Sequence, residues 1–310
     1  NATNVVIPGD LIINGGTQGT GSAVTMLLNA GQIATTSNVT INGKGVLTLA
    51  GGNALNNTTY DNTLASVTFN NIGGETTAPA VVNAAGSTLL LSSSSAITAT
   101  SMNAATVATI SGGFLALPTG TNTLSVGAIQ LNGVSYAPLV PTLSISSIIN
   151  GASTLGSVSV LTSSTASTSV TVASVPGSLV VGSTLLGQSV TAISGTTVTL
   201  GGNASQTIAS ATTAAYRAST AASITKTGDG MIQLSGANTF TGGLSIGGSA
   251  GGLMLSSSSA TVSPITAGTG LNGTFVSGPA GIGTLTMGAG TTLYGDGTAR
   301  TLANAVVFSG

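Results

Sequence analysis

Residues 228–243 read GDGMIQLSGANTFTGG, and a related phrase, GKGVLTLAGGNALNN, begins at Gly43. Each opens on closely spaced glycines, passes through a four-residue apolar stretch with one polar interruption, and closes on Gly and Asn. Alternation with a period of two is the mark of a strand with one buried face. Leu47 and Leu49, with their counterparts Ile232 and Leu234, are therefore expected to point inward, and Thr48 and Gln233 outward. Gly and Asn tolerate the positive φ that corners need. The aligned Asn53 and Asn238 are expected to stack in ladders.

The two copies also report how the chain repeats. Gly45 is matched with Gly230, and LLLSSSSA ending at Ala96 with LMLSSSSA ending at Ala260. The second pair of phrases lies closer together in sequence than the first. The copies therefore differ by an insertion of roughly 20 residues, about the length of one solenoid coil. Insertion of a unit of that size with the pattern kept is the behaviour of a solenoid. The expectation is an all-β chain folded as a parallel β-helix, with coils of about 20 residues, roughly 12 of them, and a rod near 60 Å long. Short alternating clusters elsewhere fit it, among them Val46–Leu49, Thr88–Leu91, Leu244–Ile246 and residues 114–117, 123–126 and 285–287. No segment keeps helical spacing for three turns, and Gly and β-branched residues are too dense for helices.

One region reads differently. From 157 to 220 the strands lengthen and become hairpin-like, as in residues 189–193, then SGT, then Thr197–Leu200. This suits a small antiparallel β-module inserted between two β-helix parts. The domain expectation is thus 1–156, 157–220 and 221–310.

Residues 224–255, ITKTGDGMIQLSGANTFTGGLSIGGSAGGLML, resemble the passenger-associated β-strand repeat of bacterial autotransporters. Lys226, Thr227, Gly228, Gly230, Leu234, Ser235, Gly236, Asn238, Phe240, Gly242 and Gly243 carry the resemblance, and residues 281–310 resemble the text between such repeats. The copy at 43–53 is weaker, lacking the aromatic and the Gly-Gly. The resemblance covers the last third well and the first half loosely. It implies a right-handed parallel β-helix on the outside of a Gram-negative-type cell. Such passengers usually precede a membrane barrel, which these 310 residues do not contain. The expectation is a processed or truncated passenger, or a free secreted subunit that shares the repeat.

Composition limits the chemistry. The chain has no His, Cys or Trp, four bases (Lys44, Arg217, Lys226, Arg300) and five acids (Asp10, Asp61, Glu75, Asp229, Asp296). Without His and Cys, nucleophilic triads and most zinc sites are excluded. The acids lack the paired spacing of a glycosidase or a calcium site. The GDG stretches at 228–230 and 295–297 are read as turns rather than calcium loops, and Lys226 with Asp229 as a surface pair of little energetic weight. No catalytic, cofactor-binding or metal residue is expected, and the chain is read as no enzyme. A formal net charge of −1 offers no footprint for nucleic acid or anionic lipid. Strands of three to five residues and 3% aromatics speak against insertion in a membrane as a barrel. Tyr60, Tyr136, Tyr216, Tyr294, Phe69, Phe114, Phe240, Phe275 and Phe308 are read as filling core or covering corners rather than as a carbohydrate platform.

Runs of Ser, Thr, Gly and Asn with few charges suggest an extracellular or cell-surface protein, with Asn1 following a removed signal peptide. Residues 1–15 and 301–310 read as strands without polar caps. The expected function is a structural subunit that joins copies of itself, end to end or by strand addition, into a fibre or matrix. The alternative is an adhesin passenger that binds cell-surface glycans or host cells.

Overall fold

The computed structural model describes residues 5–16, 24–27, 30–49, 61–72, 77–85, 87–136, 140–247, 251–262 and 274–309. Asn53, Tyr60 and Glu75 lie outside them. The described chain is all-β, without helix, and its larger sheets are parallel.

Three parallel sheets share one aliphatic core. The largest runs in order through Leu11–Asn14, Asn38–Asn42, Ser66–Asn71, Ile97–Ser101, Gly120–Leu131, Ala222–Thr227, Leu244–Ile246, Leu285–Gly288 and Val306–Ser309, with Val134–Tyr136 folded back antiparallel on Gly120–Leu131. The second contains both opening phrases: Val46–Leu49 and Met231–Leu234 are its second and sixth strands. A third, short sheet stacks Asn62–Leu64, Thr88–Leu91, Phe114–Ala116 and Ile148–Asn150. Leu47, Leu49, Ile232 and Leu234 are all buried in the core, and Thr48 and Gln233 are half-exposed on the outer face, as their alternation predicts.

The repeat length is not uniform along the chain. In the first half it is longer than a simple coil. Val39 pairs with Leu11 on one side and Val67 on the other, and Ile97 pairs with Val67 and Leu124. Further on, Ile224 pairs with Leu244 and Leu285 with Val306 over shorter intervals, whereas the antiparallel ribbon Ala260–Val262 with Thr274–Ser277 lies between Leu244 and its partner Leu285. Strand number is one cause, although the long interval from Leu11 to Val39 holds only a second-sheet strand, Val24–Leu27, among the described residues. Between Ser66–Asn71 and Ile97–Ser101 the chain visits the second and third sheets, whereas between Ala222–Thr227 and Leu244–Ile246 it visits only the second. Losing the third strand shortens the repeat. The nine strands of the main path, at about 4.8 Å spacing, extend about 40 Å, less than the roughly 60 Å expected.

The LLLSSSSA alignment is also corrected. Thr88–Leu91 lies in the third sheet, but Gly252–Leu255 lies in the second, so the two phrases are not equivalent and the difference in their spacing is not an inserted coil. Both phrases fit because a strand that buries alternate leucines suits either sheet.

Where the third sheet ends, the chain leaves the stack. Ala152–Thr162, Ser169–Val172, Thr184–Leu185, Gln188–Ser194, Thr197–Leu200 and Thr212–Ser219 form a closed antiparallel barrel. It has its own core, including Val160, Val170, Leu185, Val198 and Tyr216. The chain re-enters the main sheet at Ala222. Gly156 stands opposite Tyr216 in the register because a Cβ there would strike the ring.

An asparagine ladder exists, but not at Asn238. Asn42 donates to Asn14 Oδ1 at 2.6 Å, Asn70 donates to Asn42 Oδ1 at 2.8 Å, and the Thr100 hydroxyl donates to Asn70 Oδ1 at 3.0 Å. Asn238 is instead buried singly, accepting the Ile149 N–H at 2.7 Å and donating to the Pro279 carbonyl at 2.7 Å. With Thr239 it lies against Ile148–Asn150, the end strand of the third sheet.

The corners set the closest packing. Gly228 has φ +80°, and a Cβ there would sit 2.4 Å from the Val126 carbonyl oxygen of the adjacent strand. Gly297 has φ +85° but open space around its Cβ direction. Gly228→Ala is therefore expected to cost about 3 kcal/mol or more, and Gly297→Ala about 1 kcal/mol, the difference being the backbone collision. Denaturant midpoints of the two variants check this, and equal losses would contradict it.

Candidate functional site

The scarce charged groups mark the places where the chain departs from neutral packing, and the structure joins four of them in two separate ion pairs, Asp61 with Arg217 and Asp296 with Arg300. Among the described residues no three carboxylates gather where a metal ion would sit. No helix of the described residues is long and apolar enough to cross a membrane.

Lys226 is not on the surface. It occupies an inward position of Ala222–Thr227, in register with Leu124 and Ile246, and is fully buried. Its Nζ donates to the carbonyl oxygens of Gly228 and Gly230, and Gly251 leaves room for it. The surface pair with Asp229 is thus corrected. Asp229 Oδ1 accepts the Ala128 N–H at 2.9 Å. That amide lies where the register shifts between Val126 and Ile129, so Asp229 satisfies a donor at the bulge. Burial lowers the Lys226 pKa to about 8, against the pull of the Asp229 charge.

Asp61 and Arg217 form a buried ion pair between residues far apart in the chain. Arg217 Nε donates to Asp61 Oδ2 at 3.0 Å, a terminal guanidinium nitrogen donates to the same oxygen, and Asp61 Oδ1 accepts the Thr88 N–H at 2.9 Å. Asp61 precedes a strand of the third sheet and Arg217 belongs to the barrel, so the pair ties the two together. Burial pushes the Asp61 carboxyl up, and the Arg217 charge and hydrogen bond pull it back.

The second GDG stretch builds a turn: Asp296 Oδ1 accepts the Thr298 N–H at 3.1 Å and the carboxylate pairs with Arg300. The Arg300 hydrogen bond holds the half-buried Asp296 carboxyl below its ordinary range. Among the aromatics, Phe69, Phe114, Phe240 and Tyr216 are core, whereas Tyr136 and Phe308 are exposed and stand at separate places in the sheet order.

Two features were not legible in sequence. The main sheet carries outward hydroxyl columns, Thr40–Thr68–Thr98–Ser125–Thr227 and Thr123–Thr225–Ser245–Thr286, each member beside the next. A cavity of about 380 Å³ lies where the barrel meets the stack, lined by barrel residues Gln188, Ser189 and Leu200, by Ile148, and by Thr261, Val276 and Ser277 of the antiparallel ribbon Ala260–Val262 with Thr274–Ser277. Its contributors are scattered from Ile148 to Ser277, so no local motif announces it.

Compared with known protein families, curated proteins and solved structures, the chain matches none.

Two tests follow from the buried charges. The folded-state pKa of Lys226 lies below that of the unfolded chain, so unfolding takes up a proton between the two values. Its contribution to stability is complete above the ordinary lysine pKa of about 10.4 and is lost as pH falls through about 8. The melting temperature of the native chain relative to Lys226→Met should therefore rise between those pH values; a flat or falling difference contradicts the assignment. Arg217→Met should cost about 3–5 kcal/mol by leaving Asp61 unpaired, and adding Asp61→Asn should restore much of the loss in a double-mutant cycle. Additive losses would show that the two side chains do not act as a pair.

Proposed function

We propose that the chain is a non-enzymatic extracellular structural protein, a right-handed parallel β-helix whose copies join end to end or by strand addition into a surface fibre or matrix. The observation that carries this reading is the state of the main sheet's two edges. Leu11–Asn14 pairs only with Asn38–Asn42, and Val306–Ser309 only with Leu285–Gly288, among the described residues. Among the described residues each leaves a row of backbone donors and acceptors open, and an uncharged apolar edge, here four residues long, is a template for another strand.

The side chains at these edges favour association. Ile12 is 62% exposed and Phe308 81%, with Val306 and Val307 beside it. Val306–Ser309 has no charged residue, the usual guard against edge pairing. An edge at one end that accepts the edge at the other gives a head-to-tail contact, which does not close and so makes a filament. The neutral Thr and Ser columns on the outer face add no repulsion between copies.

A second reading is an autotransporter-type adhesin passenger that binds glycans or host cells. The barrel favours it, because a module with its own core, set beside the stack with a cavity at the junction, is more than a fibre requires.

The fibre reading is tested by electron microscopy and sedimentation of the 310-residue chain over a range of concentrations. Filaments that disappear in Val307→Pro and Phe308→Lys, with melting temperature retained, are the expected result. A monodisperse monomer at high concentration overturns it.

A further inference from the structure

We propose that the cavity between the barrel and the stack is a binding site for a neutral sugar unit, such as the terminal residue of a glycan. The inference rests on the second, adhesive reading above and gives it a location.

The lining dictates the class of ligand. Ile148, Ala237 and Val276 supply aliphatic surface, and Gln188, Thr261 and Ser277 supply an amide and two hydroxyls. No charged residue lines the cavity among the described residues. A charged ligand would lose its hydration there with no opposite charge to replace it, which is costly in so apolar a setting. A purely apolar ligand would desolvate the amide and hydroxyls without offering them partners, at about 1–3 kcal/mol for each group left unpaired. The ligand that wastes neither surface has an apolar C–H face and neutral hydroxyls at its edge, which is the chemistry of an uncharged pyranose.

Size and position agree. At about 380 Å³ the cavity falls at the small end of the range of roughly 300–1,000 Å³ found for small-molecule sites, and suits one or two sugar units. Junctions between independently packed units are preferred places for such sites, and here the barrel core and the stack core are separate clusters. The walls are held in place. Leu200 is packed in the barrel core, and Ser277, 7% exposed, belongs to the antiparallel ribbon. Thr261, by contrast, is exposed, which leaves one wall open to a chain extending outward.

The test uses the full chain and a panel of methyl glycosides of glucose, galactose, mannose and N-acetylglucosamine, followed by ligand-observed NMR, with the anionic N-acetylneuraminic acid as a contrast. Saturable binding of at least one neutral glycoside is expected. It should be abolished by Thr261→Trp, which fills the cavity from its exposed side, and weakened about tenfold by Ser277→Val, with the melting temperature of Thr261→Trp unchanged to show that the fold persists. Binding that survives Thr261→Trp leaves the adhesive reading standing and overturns the cavity assignment. No binding of any panel member by the native chain overturns the sugar assignment, and binding of intact cells by that same chain would then keep the adhesive reading alive. Preference for the anionic sugar contradicts the argument from the neutral lining.

Discussion

A parallel strand can pair with its predecessor only if the chain, after turning away, comes back to the same place in the same direction. Every large sheet of this protein depends on that return. It requires corners tight enough to bring successive backbones together, and glycine provides them: a Cβ at Gly15, Gly43, Gly112 or Gly230 would collide with a neighbouring backbone atom. It also requires that the residues returning to the interior be apolar each time, as Ile13, Ile41, Phe69 and Ala99 are along one line of the main sheet. Burial of these side chains drives the stacking, and in-register pairing leaves few backbone groups unsatisfied between the outermost strands.

The same constraint explains how the few polar and charged groups are used. A repeating interior has no place for an isolated charge, so Lys226 is accommodated only where the Gly228 and Gly230 carbonyls converge on its Nζ. Asp229 satisfies the amide exposed when the long strand Gly120–Leu131 slips register. The Asn14–Asn42–Asn70 ladder binds successive outer positions to one another at one margin of the sheet. Asp61 and Arg217 fasten the barrel to the stack through a buried pair, an arrangement that specifies position more than it adds stability. The outer face of the main sheet is left to neutral Thr and Ser columns, Thr40–Thr68–Thr98 and Thr225–Ser245–Thr286 among them.

Much of the fold is legible because period-two alternation survives in even the shortest strands. That pattern alone places Leu47, Leu49, Ile232 and Leu234 inward, and the hairpin of Gln188–Ser194 with Thr197–Leu200 is readable from its Ser-Gly turn. The repeat length is not, because the third sheet is present in only part of the chain. Its strand Thr88–Leu91 resembles Gly252–Leu255 in sequence while occupying another sheet. The better signal is the even recurrence of Asn14, Asn42 and Asn70 after hydrophobic positions, which marks the same sheet each time. Lys226 is misplaced by sequence because charge normally signals exposure, and the glycine carbonyls that receive it cannot be seen as acceptors there. The Asp61–Arg217 pair and the cavity join residues so far apart that only the closed barrel brings them together.

Because the chain contains no cysteine, engineered disulfides read the register without interference. Thr40 and Thr68 are direct partners on adjacent strands, as are Thr68 and Thr98, whereas Thr40 and Thr98 are separated by a whole strand. Adjacent parallel strands lie about 4.8 Å apart, within the Cα separation of about 4.4–6.8 Å that a disulfide spans, and two strands away exceeds it. Mild oxidation should cross-link the double substitutions Thr40→Cys/Thr68→Cys and Thr68→Cys/Thr98→Cys within the folded chain, and leave Thr40→Cys/Thr98→Cys reduced. Efficient bonding of the last pair, or none in the first two, would contradict the stacked register on which the account stands.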